Sequence, residues 1–101
     1  MIVVVAKATL KPGVNEAATA AVKTMVEASL KEPACRSYGF YVDMTDPTSL
    51  ITFEEWDSAE ALAAHFASPH MATFGAQLPN FLASPVALTQ YEVSSSSTSA
   101  L

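Results

Sequence analysis

Three extended segments of this 101-residue chain carry apolar side chains on both faces. Residues 2–10 are rich in β-branched side chains and read as a first strand. They present Ile2, Val4, Ala6 and Ala8 to one side, and Val3 and Val5 to the other. Residues 49–56 give Leu50 and Trp56 against Ile51 and Phe53. Residues 85–93 give Val86 and Leu88 against Ala87, Tyr91 and Val93. A sheet covered by helices on one side and water on the other should alternate apolar and polar. These strands do not, and the helical stretches are too few to cover both faces. Each large side chain left in water forgoes roughly 1.5–3 kcal/mol, so the uncovered face is expected to pack on a second copy in a two-fold homodimer.

The rest of the chain fits between these strands. Lys11-Pro12-Gly13 ends the first strand with turn chemistry. Asn15 is placed to cap a helix in which Ala18, Val22, Met25, Val26 and Ser29 share one face, and Pro33 stops it. Residues 36–44 read as a second strand, joined to the third by a turn at 45–48. Asp57 or Ser58 starts a second helix, with Glu60 completing a capping box on Asp57. Its apolar stripe is Ala59, Leu62, Ala63 and Phe66. Ser68-Pro69 opens a further helical piece lined by Met71, Phe74 and Leu78, which Pro79 is expected to close. The order β-α-β-β-α-β is the split βαβ plan of ferredoxin-like α+β domains, with one four-stranded antiparallel sheet. Residues 1–93 form this domain, and the serine-rich residues 94–101 are expected to be a mobile tail.

Charge excludes some function classes. The net charge is −5, with only five Lys and Arg spread along the chain, so nucleic acid is an unsuitable partner. No apolar run approaches the ~20 residues of a membrane span, and the first residues lack a cationic leader. A cytoplasmic protein with no membrane partner is expected. The lone Cys35 has no partner for a disulfide or a Cys-x-x-Cys site and reads as a packing thiol.

Few side chains are left for chemistry. His65 lies at the edge of the second helix's apolar stripe, and histidine is suited to shuttling protons near neutral pH. His70 sits in the first turn of the next helix, where the positive helix end suits a neutral imidazole. Their spacing of five, interrupted by Pro69, puts them on different helix faces, so no metal-ligand cluster is expected. Glu54 and Glu55 point to opposite faces. One of them should meet apolar surroundings and then either find a partner or hold its proton. Trp56, Tyr38, Phe40, Phe66 and Phe74 could line a pocket for a flat ligand. With three glycines and no phosphate loop, nucleophile elbow or dinucleotide fingerprint, no bound cofactor is expected.

Residues 51–74, running from the strand end Glu54-Glu55-Trp56 through Leu62 and His65 to Ser68-Pro69-His70, resemble the signature of antibiotic biosynthesis monooxygenase domains. Lys11-Pro12-Gly13 and Lys31-Glu32-Pro33-Ala34-Cys35 match as well. The resemblance implies a dimeric α/β barrel with a pocket in each subunit. It also implies oxygenation of an aromatic or quinol-type molecule without metal or flavin, by deprotonating the substrate to an electron-rich anion that reacts with O2. On this chain it gives His65 the role of base, helped by Glu54, with His70 as orienter. Other relatives transform a small phosphorylated signalling metabolite; here only Lys7, Arg36 or another scattered lysine could hold a phosphate. Haem-degrading relatives use an Asn and a Trp where this chain has Ala6 or Ala8 and His65, which argues against haem. A non-catalytic ligand-binding dimer of the stress-response kind is the remaining alternative.

Overall fold

The computed structural model describes all 101 residues. The elements run β1 (Ile2–Thr9), α1 (Asn15–Leu30), β2 (Cys35–Asp43), β3 (Asp46–Trp56), α2 (Ala59–Phe66), α3 (Pro69–Phe81) and β4 (Ala87–Glu92). All strand pairs are antiparallel, in the order β2-β3-β1-β4. This is the ferredoxin-like arrangement, with β1 and β3 central because each helical crossover skips one strand position to reach an edge and the β2–β3 hairpin returns the chain to the middle.

Side-chain period fixes the two faces. Register pairs Ile2 with Trp56, Val4 with Glu54 and Ala6 with Thr52 on the inner face. There Val4, Tyr38 and Trp56 from the sheet meet Met25, Leu62 and Phe74 from the three helices in one core. On the outer face Val5 stands between Phe53 and Thr89, Lys7 between Ile51 and Ala87, and Gly39 beside Phe53. No helix covers this side, and Tyr41, Phe53 and Tyr91 remain exposed on it. The exposed Tyr41 ring lies over Gly39, where a Cβ would come within 2.6 Å of its hydroxyl and push the ring aside. β4 is exposed along its whole length, and residues 94–101 form no helix or strand and are exposed.

Several local expectations change. Asn15 makes no cap; Val14 takes that position, and the Asn15 amide donates to the Pro47 carbonyl instead. Ser58 caps α2 by accepting from Ala61 N, while Asp57 pairs with Arg36. The β2–β3 turn is tighter than 45–48, since Asp43 already pairs with Asp46. Its carboxylate accepts from both the backbone and the hydroxyl of Thr45, which draws the Asp43 acid below its ordinary value. Pro79 does not end α3, which continues to Phe81. So near the helix end a proline forfeits one hydrogen bond, and the last turn is held by Leu82 N donating to the Leu78 carbonyl.

Candidate functional site

The site is built where α2 and α3 cross the inner face of the sheet. α2 ends at the Ala67–Ser68 break, and Ser68 then caps α3 by accepting from Met71 N. The Ser68 hydroxyl also donates back to the His65 carbonyl at 2.6 Å. This sharp joint turns the chain, so residues five apart no longer diverge as they would on one helix.

His65 is 1% exposed and lies on the buried stripe of α2, not at its edge; Phe66 takes the exposed position. The imidazole is held among aromatic rings, with centroids 4.5 Å from Trp56 and 5.4 Å from Tyr38. Its Nδ1 is 2.7 Å from Oε2 of Glu32, and His70 Nε2 is 2.8 Å from the same oxygen. A carboxylate can only accept, so these two nitrogens carry the protons. In the neutral imidazole, Nε2 of His65 then keeps its lone pair. It has no hydrogen-bond partner and is not sealed off.

Glu54 is the carboxylate that faces inward, 5% exposed, whereas Glu55 on the outer face accepts from Ser37 Oγ. Oε1 of Glu54 accepts from Trp56 Nε1 at 2.8 Å, a bond between two buried groups. Burial nonetheless raises the Glu54 acid above its ordinary value. The Trp56 bond and the nearby His65 pull it down, and the Glu32 charge adds to the rise. Burial, followed by the Glu54 charge, likewise raises the Tyr38 phenol, which stays protonated. The Cys35 thiol, half-buried at the start of β2, is pushed up to about 11 by burial and then by Glu32 and Glu54. It is a poor nucleophile.

A cavity of about 80 Å3 opens beside His65 and Glu54. Tyr38, Phe40, Phe66 and Phe74 line it. Ala6 and Ala8 keep its floor low, and the Thr52 hydroxyl, with no partner of its own, opens on it. Its rim is apolar and exposed at Phe66, Val86 and Leu88. No Lys or Arg lines it: Lys7 is on the outer face, and Arg36 is engaged with Asp57.

One expected pocket residue, Trp56, and the expected orienter, His70, lie off the cavity. Trp56 is fully buried behind the cavity and touches it only through Glu54 and His65. Its indole N–H needs a partner once buried, so it serves as support and not as wall. His70 stands outside, beside a groove between α1 and α3, and is joined to the site through its hydrogen bond to Glu32 and its ring 5.7 Å from that of His65. The expectation that the two histidines diverge is also overturned, by the break between α2 and α3. Glu32 had no role in the sequence reading. It sits in the turn after α1, where an acid before a proline looks like solvent-facing loop, and only the packing of that turn against α2 reveals it.

A match to the family model for antibiotic biosynthesis monooxygenases covers residues 1–77. The chain belongs to that family. It is 36% identical to the protein sll1783 of Synechocystis over 96% of this chain, and spans 66% of that relative's length. It is 34% identical to Rv0793 of Mycobacterium tuberculosis over 87% of this chain and 86% of that protein. The solved structure of Rv0793 superposes with a TM-score of 0.87, covering 96% of this chain and 98% of that one. A crystal structure titled as an antibiotic biosynthesis monooxygenase gives 0.86 at 25% identity, covering 92% of this chain and 98% of the other. No helix here is long and apolar enough to cross a membrane.

Proposed function

We propose that the protein oxygenates an aromatic or quinol-type molecule, with His65 Nε2 as the base that deprotonates it. The observation that carries this is the pairing of Glu32 with Nδ1 of His65, which leaves an unpartnered acceptor nitrogen beside an apolar cavity. For an anthrone-like substrate the chemistry balances without another reductant. His65 takes a proton from the activated CH2 group, and the resulting enolate gives electrons to O2. One oxygen atom becomes the product carbonyl, and the other leaves as water. Both carbon-bound hydrogens end in that water, and the four electrons O2 gains come from the carbon.

The protein's contribution is placement, electrostatics and dryness. Thr52 can donate to the developing oxyanion. Glu54, held by Trp56, can take up and return a proton, since burial already favours its protonated form. The surrounding rings exclude water, which preserves the anion for O2. The name of the structural relative titled as a monooxygenase is consistent with this chemistry. The lining also favours it over a phosphorylated metabolite, because no cation faces the cavity. A cavity of about 80 Å3 is smaller than the ~150 Å3 that holds benzene, so the exposed rim at Phe66, Val86 and Leu88 must swing outward to admit a ring. Incubating the protein with a panel of anthrones and hydroquinones, with and without air, tests the proposal. Product should form only in air, and no turnover of any member would defeat it.

The partner we propose is a second copy, packed on the outer sheet face. Val3, Val5, Tyr41, Ile51, Phe53 and Tyr91 together form an apolar surface that nothing in the chain covers.

A further inference from the structure

Glu32, His65 and His70 come from three segments: the turn after α1, the end of α2 and the first turn of α3. Their donor atoms, Oε2, Nδ1 and Nε2, all lie within 4.8 Å of one another. The burial is graded, with the His65 side chain 1% exposed, Glu32 18% and His70 23%. One ligand is thus rigidly packed, and two stand at the surface with room to adjust. Two imidazoles and a carboxylate with open positions are a donor set for first-row divalent ions. Bond lengths of about 2.0–2.2 Å imply donor-to-donor edges of about 3.3 Å in tetrahedral coordination. The 2.7 and 2.8 Å contacts to Glu32 must widen by about half an ångström, and the two histidine nitrogens, within 4.8 Å of one another, must come to the same edge, through adjustment of the half-buried Glu32 and His70 side chains.

Charge points the same way. Glu32 and Glu54 lie near enough to repel one another. No Lys or Arg pairs with either; the sole such pair in the chain is Arg36 with Asp57. Two carboxylates therefore share a partly buried region in which only imidazoles can balance them.

We propose that Glu32, His65 and His70 form a binding site for one divalent transition ion, with Zn2+ as its representative, and that occupation blocks the base. The second half rests on the oxygenation proposed above. An ion on Nδ1 of His65 displaces the proton from that nitrogen, and the neutral imidazole keeps its one proton on Nε2. The nitrogen that faces the substrate then changes from acceptor to donor. His70 makes the complementary change, from Nε2–H to Nδ1–H, so no net proton is lost by the two rings. The ion is an inhibitor of this site and takes no part in the oxygen chemistry.

The test uses untagged full-length protein, freed of metal with a chelator and dialysed. Zn2+ is titrated calorimetrically, and Co2+ is followed by its visible ligand-field bands. The expected result is one ion per chain, with affinity falling at least tenfold in both Glu32→Gln and His70→Ala. These side chains are partly exposed, and circular dichroism checks that the variants fold. Absence of binding, or equal affinity in wild type and both variants, overturns the site. Saturating Zn2+ should also abolish O2 uptake with the best anthrone. If Zn2+ binds at these residues and uptake continues, the block is overturned and the site stands. If wild type takes up no O2 with any substrate, it is the oxygenation that fails, and the calorimetry still decides the metal site.

Discussion

One oxygen of Glu32 is shared by two histidines, 2.7 Å from Nδ1 of His65 and 2.8 Å from Nε2 of His70. It fixes the tautomer of a neutral His65, with the proton on Nδ1. A glutamine there can donate as well as accept, and no longer enforces one tautomer. Glu32→Gln should therefore lower kcat by roughly two orders of magnitude, within the range general-base catalysis supplies. KM should change little, because Glu32 does not line the cavity. Steady-state kinetics on the best substrate checks both.

Glu54 gives a pH-dependent effect on stability. Burial raises its acid above the unfolded value. The folded chain thus favours the protonated form. That stabilisation is full below the unfolded pKa and is lost as pH rises through the folded one. Above that window the buried charge opposes folding. Glu54→Gln keeps an acceptor for Trp56 Nε1 and carries no charge. Its Tm should exceed wild type by a few degrees at pH 8, and the difference should vanish in acid below the unfolded pKa. A constant difference across that range would refute the assignment.

Cys35 should resist alkylation. With its thiol raised to about 11, against about 8.5 for a free cysteine, the thiolate is scarce at pH 8. Iodoacetamide should label native protein at least tenfold more slowly than urea-unfolded protein, with the native rate still climbing past pH 10. Mass spectrometry of timed samples measures both rates.

The outer face predicts assembly. Phe53 pairs with Val5 and Gly39 at the centre of the uncovered sheet and is 37% exposed in the single chain. Burying several such side chains yields roughly 1.5–3 kcal/mol each. Sedimentation equilibrium should give a particle of twice the 10.7 kDa chain mass. Phe53→Glu should shift it to the single chain with secondary structure intact.

The fold was readable because strand and helix periods survive locally in the sequence. Ile2 to Ala8 alternate between faces as their order dictates, and Ala18, Met25 and Ser29 recur on the buried side of α1. The inward direction of Glu54 rather than Glu55 depends on register, which the Val4–Glu54 pairing fixes only once β1 and β3 meet. The site was less readable for the same reason. His65 and His70 converge because the chain bends at Ala67–Ser68, and Glu32 reaches them from a turn 33 residues before His65. The family resemblance made Trp56 a candidate pocket wall, yet it is fully buried with its N–H committed to Glu54. Contacts of this kind follow from tertiary packing and leave no local periodic signal.

The central claim is that an unprotonated Nε2 on His65 starts the reaction, and oxygen uptake with anthrone tests it most directly. An oxygen electrode should record one O2 consumed per anthraquinone formed by wild-type protein. His65→Gln, folded by circular dichroism, should lower that rate by about 10²–10⁴-fold. A His65→Gln protein that consumes O2 at the wild-type rate would contradict the account.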